Sequence, residues 1–197
     1  IQAVTLSIIL LPLLGTLSAG LLGQFIGRSG AHWVTNLCVG AAFVLSCWVF
    51  NHVVIDQAGT YNQVLYTWMV SDGISFNIGF LVDELSSVML VVVTFVSFMV
   101  HIYTIGYMKD DPGYIRFFSY ISLFTFSMLM LVLSNNFLQL FFGWEAVGLV
   151  SYLLIGFWFD RDSAIYANLK AFLVNRVGDF GFLLGIAAVL MYFNSLD

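Results

Sequence analysis

Six long apolar runs leave this chain few ways to fold. Residues 3–26, 33–54, 85–108, 114–133, 136–159 and 164–192 each reach or exceed the ~20 residues that carry a helix across a bilayer. Lipid offers no hydrogen-bond partners, so each run must satisfy its own backbone and becomes a helix. The last run is long enough to tilt or to extend past the lipid. Composition closes off the soluble alternative. Hydrophobic residues make up 61% of the chain and charged residues 9%, too few charges to cover a water-soluble surface of this length. The expected fold class is all-α transmembrane, a single membrane domain over residues 1–197.

Between the second and third runs the pattern changes. YNQVLYTWMV, then Ser71-Asp72-Gly73, then ISFNIGFLV reads as two short strands around a turn, a β-hairpin at about 61–81 outside the membrane. If the six spans alternate, Arg28, Lys109, Arg116 and Arg161 share one side, while Asp56, Asp72 and Asp197 share the other. The positive-inside rule then makes the basic side cytoplasmic. The net charge of −5 forms no acidic or basic tail, and no nucleic-acid partner is expected. Cys38 and Cys47 lie in one run at a spacing that suits neither a metal site nor a disulfide, and are expected as free, packed thiols. No glycine-rich phosphate motif occurs, so no dinucleotide or nucleoside triphosphate is bound by those routes. The opening run continues at spanning length without a cleavage-like boundary, so a cleaved signal peptide is not expected.

The polar residues inside the runs carry the functional signal. Glu145 lies about nine residues into the fifth run, about 13 Å from its start at the helical rise and close to the midplane. On a helical wheel Gly148, Tyr152 and Gly156 fall on its side. An ionised acid at that depth costs about 2.5–3.5 kcal/mol or more unless it is paired or hydrated. Glu145 is therefore a proton-carrying or charge-coupling candidate; the plainer alternative is a neutral acid that locks two helices together. Asn168, Asn175 and Asp179 share one face of the sixth run. Arg176 and Asp179, three residues apart, are expected to form an intrahelical ion pair. That pair either takes part in charge transfer or only neutralises itself. Lys170, on nearly the opposite face, either conducts or snorkels to the surface. In the third run Ser87, Thr94 and His101 recur every seven residues, with Glu84 at one end. His101 can relay a proton through either ring nitrogen, or simply be a hydrogen-bonded packing residue. His32 and His52 sit at span ends and read as interfacial. Gly181 and Gly185, at GxxxG spacing, read as helix packing.

FFGWEAVGLVSYLLIGFWFDR, NLKAFLVNRVGDFGFLLG and HIYTIGYM strongly resemble the L subunit of proton-pumping NADH:quinone oxidoreductase, respiratory complex I, and its mitochondrial subunit 5 counterpart. The likeness runs over about 81–190. Large subunits of multi-component Na+/H+ antiporters share the WE…SYLLIGFW skeleton but typically lack the glycines flanking Glu145 and the NRVGD run. The resemblance implies a distal, antiporter-like membrane-arm subunit with inverted repeats, neighbouring an M-type subunit in a bacterial inner membrane. NADH, FMN, iron–sulfur clusters and quinone would then belong to partner subunits, with none bound here. It also implies that Glu145 pairs with a lysine on a seventh helix, that Arg176 and Asp179 join the nearby polar network, and that a histidine stands where His101 does. The 197 residues end before such a helix, so the chain is expected to be the N-terminal third of the subunit. Two other readings stand beside this one: a stand-alone cation/proton antiporter, and a structural arm fragment without its own proton path.

Overall fold

The computed structural model describes residues 2–21, 23–55, 61–71, 74–158 and 161–193. In chain order they form α1 (Gln2–Leu21), α2 (Gly23–Phe50) running into a π-helical turn (Asn51–Ile55), β1 (Tyr61–Ser71), β2 (Ile74–Val82), α3 (Glu84–Tyr107), α4 (Tyr114–Val132), α5 (Phe137–Ile155) and α6 (Asp162–Phe193). Six of these helices are long and apolar enough to cross a membrane. The architecture is the all-α transmembrane one that the apolar runs require.

The boundaries depart from the apolar pattern where polar and glycine residues intervene. The first span ends at Leu21 rather than at 26. The chain then re-enters a helix early and breaks at Gly27, whose φ of 71° lies in the left-handed region that glycine adopts without steric cost. The second span accordingly starts at Ser29 and runs through the π-turn to Ile55. The fifth helix stops at Ile155, four residues before the apolar run does, with Gly156 as its cap. At 32 residues, α6 is about 48 Å long at the usual rise. It exceeds the hydrocarbon core, as its run length suggested.

The two strands pair antiparallel from Tyr61 against Val82 to Ser71 against Ile74, with irregularities at 64–66 and 67–69. The turn at 72–73 lies outside the described residues, as do Asp56, Asp72 and Asp197 of the orientation argument. The strands coincide with the two expected segments to within one residue, and β2 is tied into the bundle. Phe80 and Val82 are buried with Ile8, Val49, Leu90 and Leu133, and Leu81 N donates to Leu133 O at 2.9 Å. At the opposite end Met108, Tyr114, Phe118, Ile121 and Phe157 form a second core. Arg116 Nη2 donates to Phe157 O at 2.9 Å, and Trp158 Nε1 to Asp111 Oδ2 at 2.6 Å, so the loops on the basic side are tied together.

α4 is the hub, packed against α1, α2, α3 and α5. Small residues let the helices close. Thr16 Oγ1 donates to Ser119 O and Ser119 Oγ to Thr16 O, at 3.3 and 3.2 Å, where α1 meets α4. On α5, a Cβ at Gly143 would stand 2.9 Å from Leu131 Cα, which is backbone and cannot swing aside. Gly143→Ala is therefore expected to force α4 and α5 apart at about 1–3 kcal/mol, the usual cost of overpacking. A lowered thermal midpoint of the purified protein would register it. Cys38 and Cys47 are both free, as expected, but Cys47 is exposed on the outer side of α2 rather than packed.

Candidate functional site

α5 is placed along its axis by polar groups before any charge is considered. The Asn136 carboxamide caps it by accepting from Gln139 N at 2.8 Å, satisfying one of the helix's unpaired first-turn amides. The Gln139 side chain then turns to the hairpin. Its Oε1 accepts from Gly79 N at 2.9 Å and its Nε2 donates to Gly79 O at 3.0 Å. With Gly143 pressed on α4, the face bearing Glu145 turns to α6.

That face is lined as the helical wheel requires. A Cβ at Gly148 would meet Asn175 Nδ2 at 3.6 Å, and one at Gly156 would stand 2.7 Å from Asn168 Cγ. Each glycine thus admits an asparagine of α6 against the α5 backbone. Tyr152 packs on Phe172 with ring centroids 5.2 Å apart. At the centre of the seam Arg176 Nη1 donates to Glu145 Oε2 at 2.8 Å. The same nitrogen lies 3.9 Å from Asp179 Oδ2. Its guanidinium also covers the Phe172 ring at 4.8 Å.

The intrahelical Arg176–Asp179 ion pair is present as expected, at 3.9 Å, and Glu145 takes the closer place on the same guanidinium across the helix interface. A side chain three residues away on its own helix offers a fixed geometry, whereas α5 presents Glu145 directly to the guanidinium. Two carboxylates share one cation, a combination that carries a net charge of about −1 when all three are ionised. The side chains of Arg176, Glu145 and Asp179 are 51%, 22% and 11% exposed, so the trio opens outward from the bundle. A recess of about 10 Å³ beside it has room for about one water.

The remaining candidates are not brought to this cluster. Lys170 is exposed on α6 and has no salt bridge among the described residues. His101 is fully buried between α3 and α4. Its Nδ1 lies 2.6 Å from Ser97 O and its Nε2 2.9 Å from Ser122 Oγ. Ser97 Oγ is in turn hydrogen-bonded to Thr125 Oγ1. Ser87 and Thr94 of the same stripe are fully buried and back-bonded to their own helix, whereas Glu84 is exposed.

Sequence reasoning passed over Gln139, Ser122 and Thr125. Asn136 and Gln139, three apart at a helix start, were a legible capping signature. Ser122 and Thr125, three apart on α4, were an equally legible polar pair; they meet His101 and Ser97 of α3.

Residues 68–118 match the family model for the N-terminus of NADH-ubiquinone oxidoreductase (complex I) chain 5. Residues 134–197 match the model for the NADH:quinone oxidoreductase/Mrp antiporter transmembrane region. The chain is 64% identical to NADH-quinone oxidoreductase subunit L of Neisseria meningitidis serogroup B, over 95% of its own length and 28% of that protein. It is 50% identical to NADH-ubiquinone oxidoreductase chain 5 of Arabidopsis thaliana, over 98% of its length and 29% of that protein. The chain thus spans less than a third of these relatives. Among solved structures, an archaeal membrane-bound sulfane sulfur reductase complex superposes over 100% of this chain and 39% of its own, with a TM-score of 0.85 and 18% identity. The Mrp complex of Dietzia sp. DQ12-45-1b superposes over 98% of this chain and 20% of its own, with a TM-score of 0.81 and 21% identity. At those identities the likeness is one of fold.

Proposed function

From the premise that this chain belongs, over residues 68–118 and 134–197, to the complex I chain 5 and quinone oxidoreductase/Mrp antiporter membrane families, we propose that it is part of an L-type membrane-arm subunit translocating protons. The observation that carries this reading is the Glu145–Arg176–Asp179 cluster at mid-span of α5 and α6. Intramembrane ionisable groups are costly and mark ion pathways. Here the excess of one carboxylate, and the part of Glu145 left exposed beside Arg176, suit a further cation, the lysine that the family resemblance supplies.

The chain's own residues perform the coupling. When a cation approaches from the open side, Glu145 exchanges Arg176 for it, and Arg176 closes on Asp179, for which it already lies within reach. When the cation withdraws, Glu145 either recovers Arg176 or takes up a proton. Moving one charge against 100 mV costs about 2.3 kcal/mol, so the repartnering has to be driven. The drive is quinone reduction by NADH in partner subunits, which hold FMN and iron–sulfur clusters, relayed through an M-type neighbour in the bacterial inner membrane. Lys170 serves the surface rather than the cluster.

Glu145→Gln in the intact enzyme tests this. Proton pumping per NADH is expected to fall severalfold while NADH oxidation and assembly persist; unchanged pumping would sink the proposal. The Mrp-like fold supports a second reading, a subunit of a multi-component Na+/H+ antiporter. Co-purification decides between them, since only the first carries iron–sulfur subunits with it.

A further inference from the structure

The basic end of the bundle holds a second titratable column, remote from the Glu145 cluster. His32, three residues into the second span, places Nδ1 2.8 Å from the hydroxyl of Tyr114, the first residue of α4. Half-buried His32 and fully buried His101 both lie beside the same ring. The Phe118 centroid lies 6.3 Å from that of His32 and 6.2 Å from that of His101, and Phe118 is itself fully buried. On its inner side His101 faces only hydroxyls and a carbonyl. The Ser97 carbonyl can only accept, so the ring proton belongs on Nδ1 and Nε2 accepts from Ser122. This tautomer follows from the hydrogen-bond network. Ser97 and Thr125 are the polar residues in the wall of an otherwise apolar groove of about 440 Å³ between α3 and α4, lined also by Val92, Val96, Val100 and Phe124.

We propose that His101 is a second proton-holding site, closed toward His32 and Tyr114 by the Phe118 ring and open through Ser97 and Thr125 to the α3–α4 groove. It rests on the reading of the chain as a proton-translocating subunit. An arriving proton adds to the Nε2 lone pair. The Ser122 hydroxyl, which donates or accepts by rotation, follows without any helix moving. The imidazolium passes its Nδ1 proton to Ser97 Oγ, 3.3 Å away, which releases its own proton through Thr125 Oγ1 to a water in the groove. One N–H bond forms and one breaks, each hydroxyl exchanges one proton for another, and the ring is left with its proton on Nε2, donating to Ser122 Oγ. Among the described residues the His101 ring nitrogens are hydrogen-bonded to Ser97 and Ser122 and to no charged side chain. Of the charged residues near the column, Arg116 is engaged with Phe157 O and Glu84 is exposed at the far end of α3. The Phe118 ring acts as an apolar plug: it lies beside both titratable groups and carries no proton of its own.

The test uses the complete enzyme in sealed vesicles without NADH, following the decay of an imposed pH gradient. Phe118→Ala is expected to speed the decay severalfold, and Phe118→Ala with His101→Gln to return it to the native rate. Unaltered decay in Phe118→Ala, or a fast decay that His101→Gln leaves in place, overturns the proposal. If Phe118→Ala does not assemble, Phe118→Leu is read by deuterium exchange at the His101 ring carbon between the nitrogens. Faster exchange than native supports the plug and an unchanged half-life overturns it. Because the gradient decays without redox turnover, this result is separate from the pumping measured in Glu145→Gln.

Discussion

Arg176→Met is expected to cost the protein about 3 kcal/mol, the lower end of the 3–5 kcal/mol seen when one partner of a buried ion pair is removed. The lower end applies because the Arg176 side chain is 51% exposed, so the protein encloses the pair only in part. The loss comes less from the bond than from what remains. Glu145 and Asp179 would then share a mid-span seam with no other cation paired to them among the described residues. The variant should reach the membrane in reduced amount and melt earlier in detergent. Adding Glu145→Gln should recover much of that loss, since one carboxylate is easier to bury than two. Equal stability of native and Arg176→Met proteins would show that the guanidinium does not hold the pair.

The second large effect lies at the other end of α5. Gln139→Leu keeps the volume but strips both hydrogen bonds from Gly79, whose amide and carbonyl are buried. Each orphaned buried group costs roughly 1–3 kcal/mol, so the total is on the order of 2–6 kcal/mol. The hairpin should detach locally before the bundle melts. Amide exchange at 78–82 would therefore accelerate more than exchange within α4. Exchange that accelerates equally in both would mean that the hairpin and the bundle open as one unit.

Much of the architecture was legible in the residue order, because burial in lipid acts on each run separately. Any apolar stretch of spanning length must satisfy its own backbone, so six helices follow without knowledge of their neighbours. The hairpin followed from its turn residues and alternation. The glycine-lined face of Glu145 followed from helical periodicity alone. Helix ends were less legible. Gly27 and Gly156 stop or break helices inside or beside apolar sequence, and hydropathy is blind to a backbone angle.

The site divides in the same way. That Glu145, Arg176, Asp179 and His101 are costly inside a membrane, and so need partners, was determined by the sequence, since desolvation depends on the local environment of each run. Which partner each one finds was decided only by the tertiary structure. Arg176 could reach Asp179 along its own helix, yet the close packing of Gly143 on Leu131 turns Glu145 toward α6, where it takes the guanidinium at 2.8 Å. Gln139 meets Gly79 across 60 residues, and His32 and His101 meet on Phe118 from different helices. Contacts of that kind depend on crossing angles and helix rotation, set by many weak packing contacts at once, and no single stretch of sequence carries them.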